Sequence, residues 1–341
     1  FMLDNLTFYQ ENRKKLMALL PDNSAVIVPS GTEQIRNRDV EFPFRAESDF
    51  IYLTGFDEPD SVLVLLKTNE VESCLFVRPK DLEQETWQGR RLGVGAAPAY
   101  LALDSAYSID DLDEQIIVLL ENMESVYVSF SQSLDFLGSV HVWIHALKQK
   151  IRQGIEAPSQ LCDLDVCLHE MRVIKSEMEI QHLRKAATIS VQGHLAAMKA
   201  VQSCQFEFQV QADLEAEFLS AGSPRVAFNS IVASGANACI LHYTENRDEI
   251  KDGDLVLIDA GCEYEYYASD ITRTFPANGR FSEAQKAIYE IVLNAYKAAI
   301  KEVRPGVPYN QYHNAAARVI AERRALGLAA PEDDFSFAIT V

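Results

Sequence analysis

Short runs of consecutive apolar residues punctuate the first 150 positions. Ala25–Pro29, Phe50–Thr54, Ser61–Leu66, Cys74–Val77 and Val126–Phe130 are rich in β-branched and aromatic residues. Turn formers bound most of them: Ser30-Gly31, Gly55, Pro59-Asp60 and Pro79. Runs of that length and composition read as buried strands. Leu112–Met123 and Leu134–Ile151 instead carry helical periodicity. Strands alternating with helices predict an α/β domain.

The pattern changes after Gly154–Leu168, a stretch of weak periodicity containing Pro158. The expected division is an N-terminal domain over 1–170 and a second domain over 171–341. Ser176-Glu177-Met178-Glu179 is a capping box, in which Ser176 and Glu179 each satisfy an orphan backbone donor. The helix behind it places Ile180, Leu183, Ala187, Val191, Leu195 and Met198 on one stripe, expected to face the core. A second helix carries Val210, Leu214 and Phe218, with Gly222 placed as its C′ residue. Strands are predicted over Val226–Val232, Asp254–Ala260 and Tyr266–Phe275. Another capping box at Ser282 opens a third helix that ends before Arg304-Pro305-Gly306. A fourth runs from about Pro308 to Ala325 and is closed by Gly327. The second domain reads as α+β, with long helices outside an antiparallel sheet.

Composition narrows the function classes. The 341 residues carry a formal net charge of −19, which argues against a surface built for nucleic acid. The longest apolar runs are far too short to cross a bilayer, and the N-terminal residues lack a signal-peptide pattern, so neither a membrane nor secretion is expected. None of the six cysteines forms C-x-x-C, so reduced, buried thiols in a cytoplasmic protein are the expectation.

The candidate chemistry lies in Leu255–Gly261 and Ser269–Thr274. An apolar strand ends at Asp259, and eleven residues later Asp270 sits inside a second β-type run. A hairpin with its two-residue loop at Tyr264-Glu265 would set Asp259 directly opposite Asp270, with Cβ atoms roughly 4.5–5.5 Å apart. Carboxylates that close repel unless a cation lies between them. A pair of divalent metals resolves the conflict, and oxygen ligands suit hard ions such as Mn²⁺. The alternative is one Asp facing solvent at a strand end and the other capping a turn. His242, in Leu241-His242-Tyr243-Thr244, lies just upstream, where an imidazole could contact substrate or an oxyanion; an ordinary structural histidine is the competing reading. Gly93-Val94-Gly95 is too short for a dinucleotide fingerprint, and His169-Glu170 lacks the second histidine of a zincin. Core or interface packing is expected of Trp87 and Trp143.

Taken together, Phe44–Phe56, Phe228–Gly235, Leu241–Thr244, and Asp259-Ala260-Gly261 through Asp270-Ile271-Thr272-Arg273-Thr274-Phe275-Pro276 resemble aminopeptidase P, the Xaa-Pro aminopeptidase of the pita-bread superfamily that includes prolidase, creatinase and methionine aminopeptidase. The resemblance implies an α/β N-terminal domain and a pita-bread catalytic domain, incomplete at its C-terminus. It implies that Asp259 and Asp270 bind metal, with Asp270 bridging two Mn²⁺ or other divalent ions. By the same resemblance Thr272 supports them behind the metal, and His242 contacts substrate and serves catalysis. The implied reaction is attack by metal-bound hydroxide on the bond before proline, in a cytoplasmic homo-oligomer in which Trp87 could border a neighbouring subunit's site. The family's remaining ligands, one His and two Glu, find no match: His313, Glu302, Glu322 and Glu332 stand in helix or tail contexts. Weak or absent activity of this chain is therefore expected, with a non-catalytic peptide- or protein-binding module and a prolidase-type dipeptidase as alternatives. The glycines usual in the family's hairpin turn are absent from Glu263–Ser269, so a shifted or strained turn is expected.

Overall fold

The computed structural model describes residues 6–325. The chain divides into two compact units between Lys175 and Ser176. The first contains, in order, α1 (Leu6–Leu19), β1 (Ser24–Pro29), β2 (Ile35–Asn37), β3 (Val40–Glu41), α2 (Ser48–Thr54), β4 (Val62–Lys67), β5 (Val71–Val77), α3 (Leu82–Gln88), α4 (Ala97–Leu101), β6 (Ser105–Ser108), α5 (Leu112–Leu119), β7 (Ser125–Val128), α6 (Leu134–Lys148), β8 (Gln160–Asp163) and α7 (Asp165–Val173). Six strands form one mixed sheet in the order β6-β5-β4-β1-β7-β8. Every residue of β1 is buried. Ala25, Ile27, Val64, Phe76 and Val126 pack with Ile116 and Leu120 of α5 and its following turn and with Trp143 and Leu147 of α6. The indole N–H of Trp143 donates to Asp113 Oδ1 at 2.7 Å, so this buried ring satisfies its polar edge.

Phe50–Thr54 is a helix rather than a strand. The Glu47 carboxylate accepts from the Asp49 and Phe50 amides, and Gly55 ends the helix at φ +66°. Nearly all of its residues are buried, so no amphipathic period marks it in the sequence. Trp87 is 84% exposed, so of the core or interface packing expected of it the core alternative does not hold.

The second unit contains α8 (Glu177–Ala200), α9 (Glu207–Ser220), β9 (Arg225–Val226), β10 (Ile231–Ser234), β11 (Leu255–Ala260), β12 (Cys262–Tyr264), β13 (Tyr267–Ala268), β14 (Ile271–Pro276), α10 (Glu283–Glu302) and α11 (Asn310–Ala325). Both capping boxes form, at Ser176/Glu179 and at Ser282/Gln285. Gly222, at φ +89°, follows α9 as expected. Gly327 and Glu332 lie outside the described residues. The predicted strand over 226–232 is two short ones, β9 and β10, and the one over 266–275 is broken into β13 and β14.

The buried face of α8 also differs from the expected stripe. Ala186, Ile189, Ser190, Gly193, His194 and Ala197 face inward, while Val191, Leu195 and Met198 are 40–45% exposed. The cause is close packing and buried hydrogen bonding. A Cβ on Gly193 would sit 2.5 Å from the Phe218 ring, so α9 approaches α8 where glycine leaves room. Ser190 Oγ accepts the Cys262 amide at 2.9 Å, and His194 Nε2 lies 3.1 Å from the Ala260 carbonyl. Val232, Val256, Ile258, Ala260 and Phe275 complete this core. Among the described residues no helix is long and apolar enough to cross a membrane.

Candidate metal centre and substrate loop

Burial alternates along β11: Val256, Ile258 and Ala260 turn into the core, and Leu255, Leu257 and Asp259 take the opposite face. β11 pairs antiparallel with β14, Asp259 standing opposite Thr272 and Ala260 opposite Ile271. Beyond them Tyr264 pairs with Tyr267, which centres the turn on Glu265-Tyr266. The turn is therefore centred one residue later than expected, and Asp259 pairs with Thr272 rather than Asp270, a shift of two residues that keeps both aspartates on one face. Both turn residues lie at positive φ, +48° and +66°, the backbone of a type I′ turn. Such conformations cost non-glycine residues roughly 1–2 kcal/mol each. Arg225 lies 5.5 Å over the Tyr266 ring, and Tyr264 and Tyr267 flank His182 with ring centroids 6.2 and 5.6 Å away, which offsets that strain.

The shifted register still brings the carboxylates together. Thr272 is Asp259's partner across the ladder, and Asp270, two residues before it, shares its alternation. Asp259 is partly buried and Asp270 exposed. The pKa of Asp259 is raised, first by desolvation. A hydrogen bond from Thr272 opposes the rise, the adjacent Asp270 carboxylate adds to it, and His242 lowers it through its charge. Asp270, Thr272 and His242 thus all act on Asp259.

Among the described residues, the carboxylate oxygens buried with no hydrogen-bond partner are Asp165 Oδ1 and Asp259 Oδ1. The first has His169 Nε2 at 3.8 Å. The second stands beside another carboxylate, an arrangement that fits a divalent cation. A second acid-rich group, Asp49, Asp165 and His169, could in principle hold an ion. The guanidinium of Arg172 already occupies Asp49 there, and His169 is largely exposed.

His242 is exposed and lines a cavity of about 370 Å³ together with Asn237, Tyr243, Glu245, Arg247 and Asp248. His313 lies exposed on α11, and Glu302 and Glu322 also belong to helices. Sequence reasoning missed Glu207, Ser190 and His194, all buried. Extending the Val210, Leu214, Phe218 stripe back one turn reaches Glu207, which was the available signal.

A model described as metallopeptidase family M24 matches residues 181–336, and one described as the aminopeptidase P N-terminal domain matches residues 9–127. The Xaa-Pro aminopeptidase of Haemophilus influenzae is 43% identical over 312 residues, 91% of this chain and 70% of that protein. That of Escherichia coli is 40% identical over 314 residues, covering 92% and 71%. The chain belongs to the aminopeptidase P family of M24 metallopeptidases. Solved structures agree. The aminopeptidase PepP of Pseudomonas aeruginosa superposes with a TM-score of 0.91 at 45% identity, over 96% of this chain and 74% of that one. A zinc-substituted E. coli aminopeptidase P in complex with product gives 0.91 at 39% identity, over 96% and 75%. The two-unit architecture described above is accordingly the family's: an aminopeptidase P N-terminal domain followed by a pita-bread domain.

Proposed function

We propose that this protein removes the N-terminal residue from peptides with proline in second position. The observation that carries the proposal is the convergence of Asp259 and Asp270, with one Asp259 oxygen buried and unpartnered. Asp259 and Asp270 would hold a divalent cation, Mn²⁺ by family resemblance and as a pair in the complete family site. Such an ion supplies Lewis-acid polarisation of a carbonyl and a water of lowered pKa. Thr272, opposite Asp259 across the ladder, would support it behind the ion. His242 faces the peptide at the cavity mouth, where its ring can hold or donate a proton beside the substrate carbonyl. A cavity of about 370 Å³ suits a short peptide.

Two aspartates alone hold a divalent ion weakly, since such ions take six or so oxygen ligands. The 341-residue chain is therefore expected to turn over slowly. Homo-oligomerisation is proposed on the family resemblance, and exposed Trp87 supports it as a surface awaiting a partner. Six unpaired cysteines support a reducing, cytoplasmic setting.

The test is release of the first residue from an Xaa-Pro-Xaa tripeptide, with an Xaa-Pro dipeptide run in parallel. Slow, Mn²⁺-dependent release from the tripeptide, lost in Asp270→Asn, is the expected result. Release that persists with chelator or in the variant overturns the assignment. Cleavage confined to the dipeptide favours a prolidase-type activity, and fast turnover refutes the expectation of weak metal binding.

A further inference from the structure

Among the described residues of the second unit, the most deeply buried carboxylate is neither aspartate of the proposed metal centre. Glu207, the first residue of α9, has no exposed surface, yet it accepts five hydrogen bonds. Its Oε1 takes the Ser234 amide at 2.7 Å, the Ser234 hydroxyl at 2.8 Å and Asn237 Nδ2 at 3.2 Å. Its Oε2 takes the Tyr243 hydroxyl at 2.7 Å and the Asp248 amide at 3.0 Å. Among the described residues no lysine or arginine pairs with it.

A carboxylate buried without a cation is costly unless donors surround it. Here every donor comes from one segment, residues 234–248, which links β10 to the approach of β11 and carries His242. The donors stand at its start, beside His242 and at its end. Four residues later on the same helix, Gln211 accepts from Asn246 Nδ2 at 2.9 Å. Asn246 in turn accepts the Val232 amide at 3.0 Å and donates to the Ser230 carbonyl at 2.7 Å. The loop has little regular structure of its own after Cys239, so its shape follows from these ties.

We propose that Glu207 is a positioning residue, whose carboxylate shapes the 234–248 loop and thereby holds His242 at the cavity that loop lines. The inference deepens the reading that His242 contacts substrate, and it rests on that reading for its consequence in catalysis. Its structural content is tested without peptide or metal.

The variant is Glu207→Gln, which keeps the side chain's shape but turns one acceptor oxygen into a donor facing donors. Circular dichroism establishes that it folds. Hydrogen exchange then reads the loop amides, and the imidazole resonance of His242, assigned with His242→Asn, reads the ring's surroundings. Loop amides are expected to exchange at least about tenfold faster, the factor given by one lost charge-assisted hydrogen bond. The His242 resonance is expected to move to that of a freely mobile ring, with His141 and His145 of the first unit unmoved. Folded Glu207→Gln with both readouts unchanged overturns the proposal. If that variant does not fold, Tyr243→Phe removes the donor beside His242, and an unmoved His242 resonance there overturns it equally. In peptide assays KM should rise more than kcat falls. Since exchange and resonance need no substrate, failure of the peptidase reading leaves their outcome intact and separately legible.

Discussion

Replacing Gly261 with alanine should pull the two aspartates apart. The β11–β14 ladder ends at Ala260 opposite Ile271, and pairing resumes at Glu263 opposite Ala268. Between them the ribbon bends, and the Ser269 carbonyl crosses the place a side chain on residue 261 would take: an added Cβ would lie 1.7 Å from that oxygen and 3.0 Å from the Asp270 nitrogen. Both neighbours are backbone, so no rotamer change relieves the clash. Residues 269 and 270 must move outward by well over 1 Å, carrying Asp270 with them. The move also breaks bonds from the Ser269 amide and hydroxyl to the Cys262 carbonyl, at 3.0 and 3.1 Å, and the 2.6 Å contact between Ser190 and Ser269. Overpacking costs about 1–3 kcal/mol and each of the three lost hydrogen bonds about 1 net, so Gly261→Ala should destabilise this unit by about 4–6 kcal/mol. Both tryptophans belong to the first unit and do not report it, so the assay is hydrogen exchange of the β11 and β14 amides across a urea series. Mn²⁺ affinity should fall in the same variant. Unchanged β11 protection together with unchanged metal affinity would refute the reasoning that glycine sets the spacing of the carboxylates.

Three further outcomes follow from the same geometry. Asp270→Asn should abolish the stabilisation that Mn²⁺ gives the parent, about 2.7 kcal/mol at a hundred times the dissociation constant, read as a metal-dependent rise in Tm; an equal rise in the variant would place the ion elsewhere. Ser190→Ala leaves the Cys262 amide buried without its acceptor and should cost about 1–3 kcal/mol, measured by urea denaturation, whereas a cost near zero would mean the amide finds another partner. Burial pushes the Cys74 thiol up to about 12 from an ordinary value of 9.0. The unfolded chain therefore loses this proton first, so stability is unaffected below pH 9 and falls by about 1.4 kcal/mol per pH unit above it. Cys74→Ala should flatten that alkaline slope in denaturation curves, and an unchanged slope would contradict the assignment.

How much the sequence revealed depended on whether hydrophobicity or hydrogen bonding decided the local structure. β1, β4, β5 and β7 were legible because the buried part of each strand needs nothing beyond a short apolar run. The same reasoning failed at Phe50–Thr54, where a helix buried on nearly every side leaves the same apolar run and only its caps, Glu47 and Gly55, separate the two states. On α8 the apolar stripe pointed the wrong way, because glycine, serine and histidine are worth more at the close contact with α9, β11 and β12 than leucine would be. The Asp259/Asp270 pairing was legible in kind but wrong in register. Nothing in Glu263–Ser269 marks which two residues adopt positive φ when neither is glycine.

The errors on α8 and in the hairpin share a cause that bears on how the candidate site is built. A register set by side-chain hydrophobicity alone slips easily wherever both faces of a ribbon are mixed, and β12 is such a ribbon, with Glu263 buried beside Cys262. Polar ties from outside hold it instead. Ser190 takes the Cys262 amide, His194 meets the Ala260 carbonyl, Arg225 pairs with Glu263 at 3.0 Å, and the Tyr267 hydroxyl reaches Glu179 at 3.0 Å. Each tie is local to one residue, so a slip of one position would leave several buried polar groups unpaired at once. That discrimination against misregister is stronger than apolar packing could give. It acts on the segment whose displacement by one residue would turn Asp259 away from Asp270. Glu207 applies the same device to the loop that bears His242. Buried polar residues on α8 and α9 therefore fix the two aspartates and the histidine of the proposed site, while the apolar core fixes only the layer on which they stand.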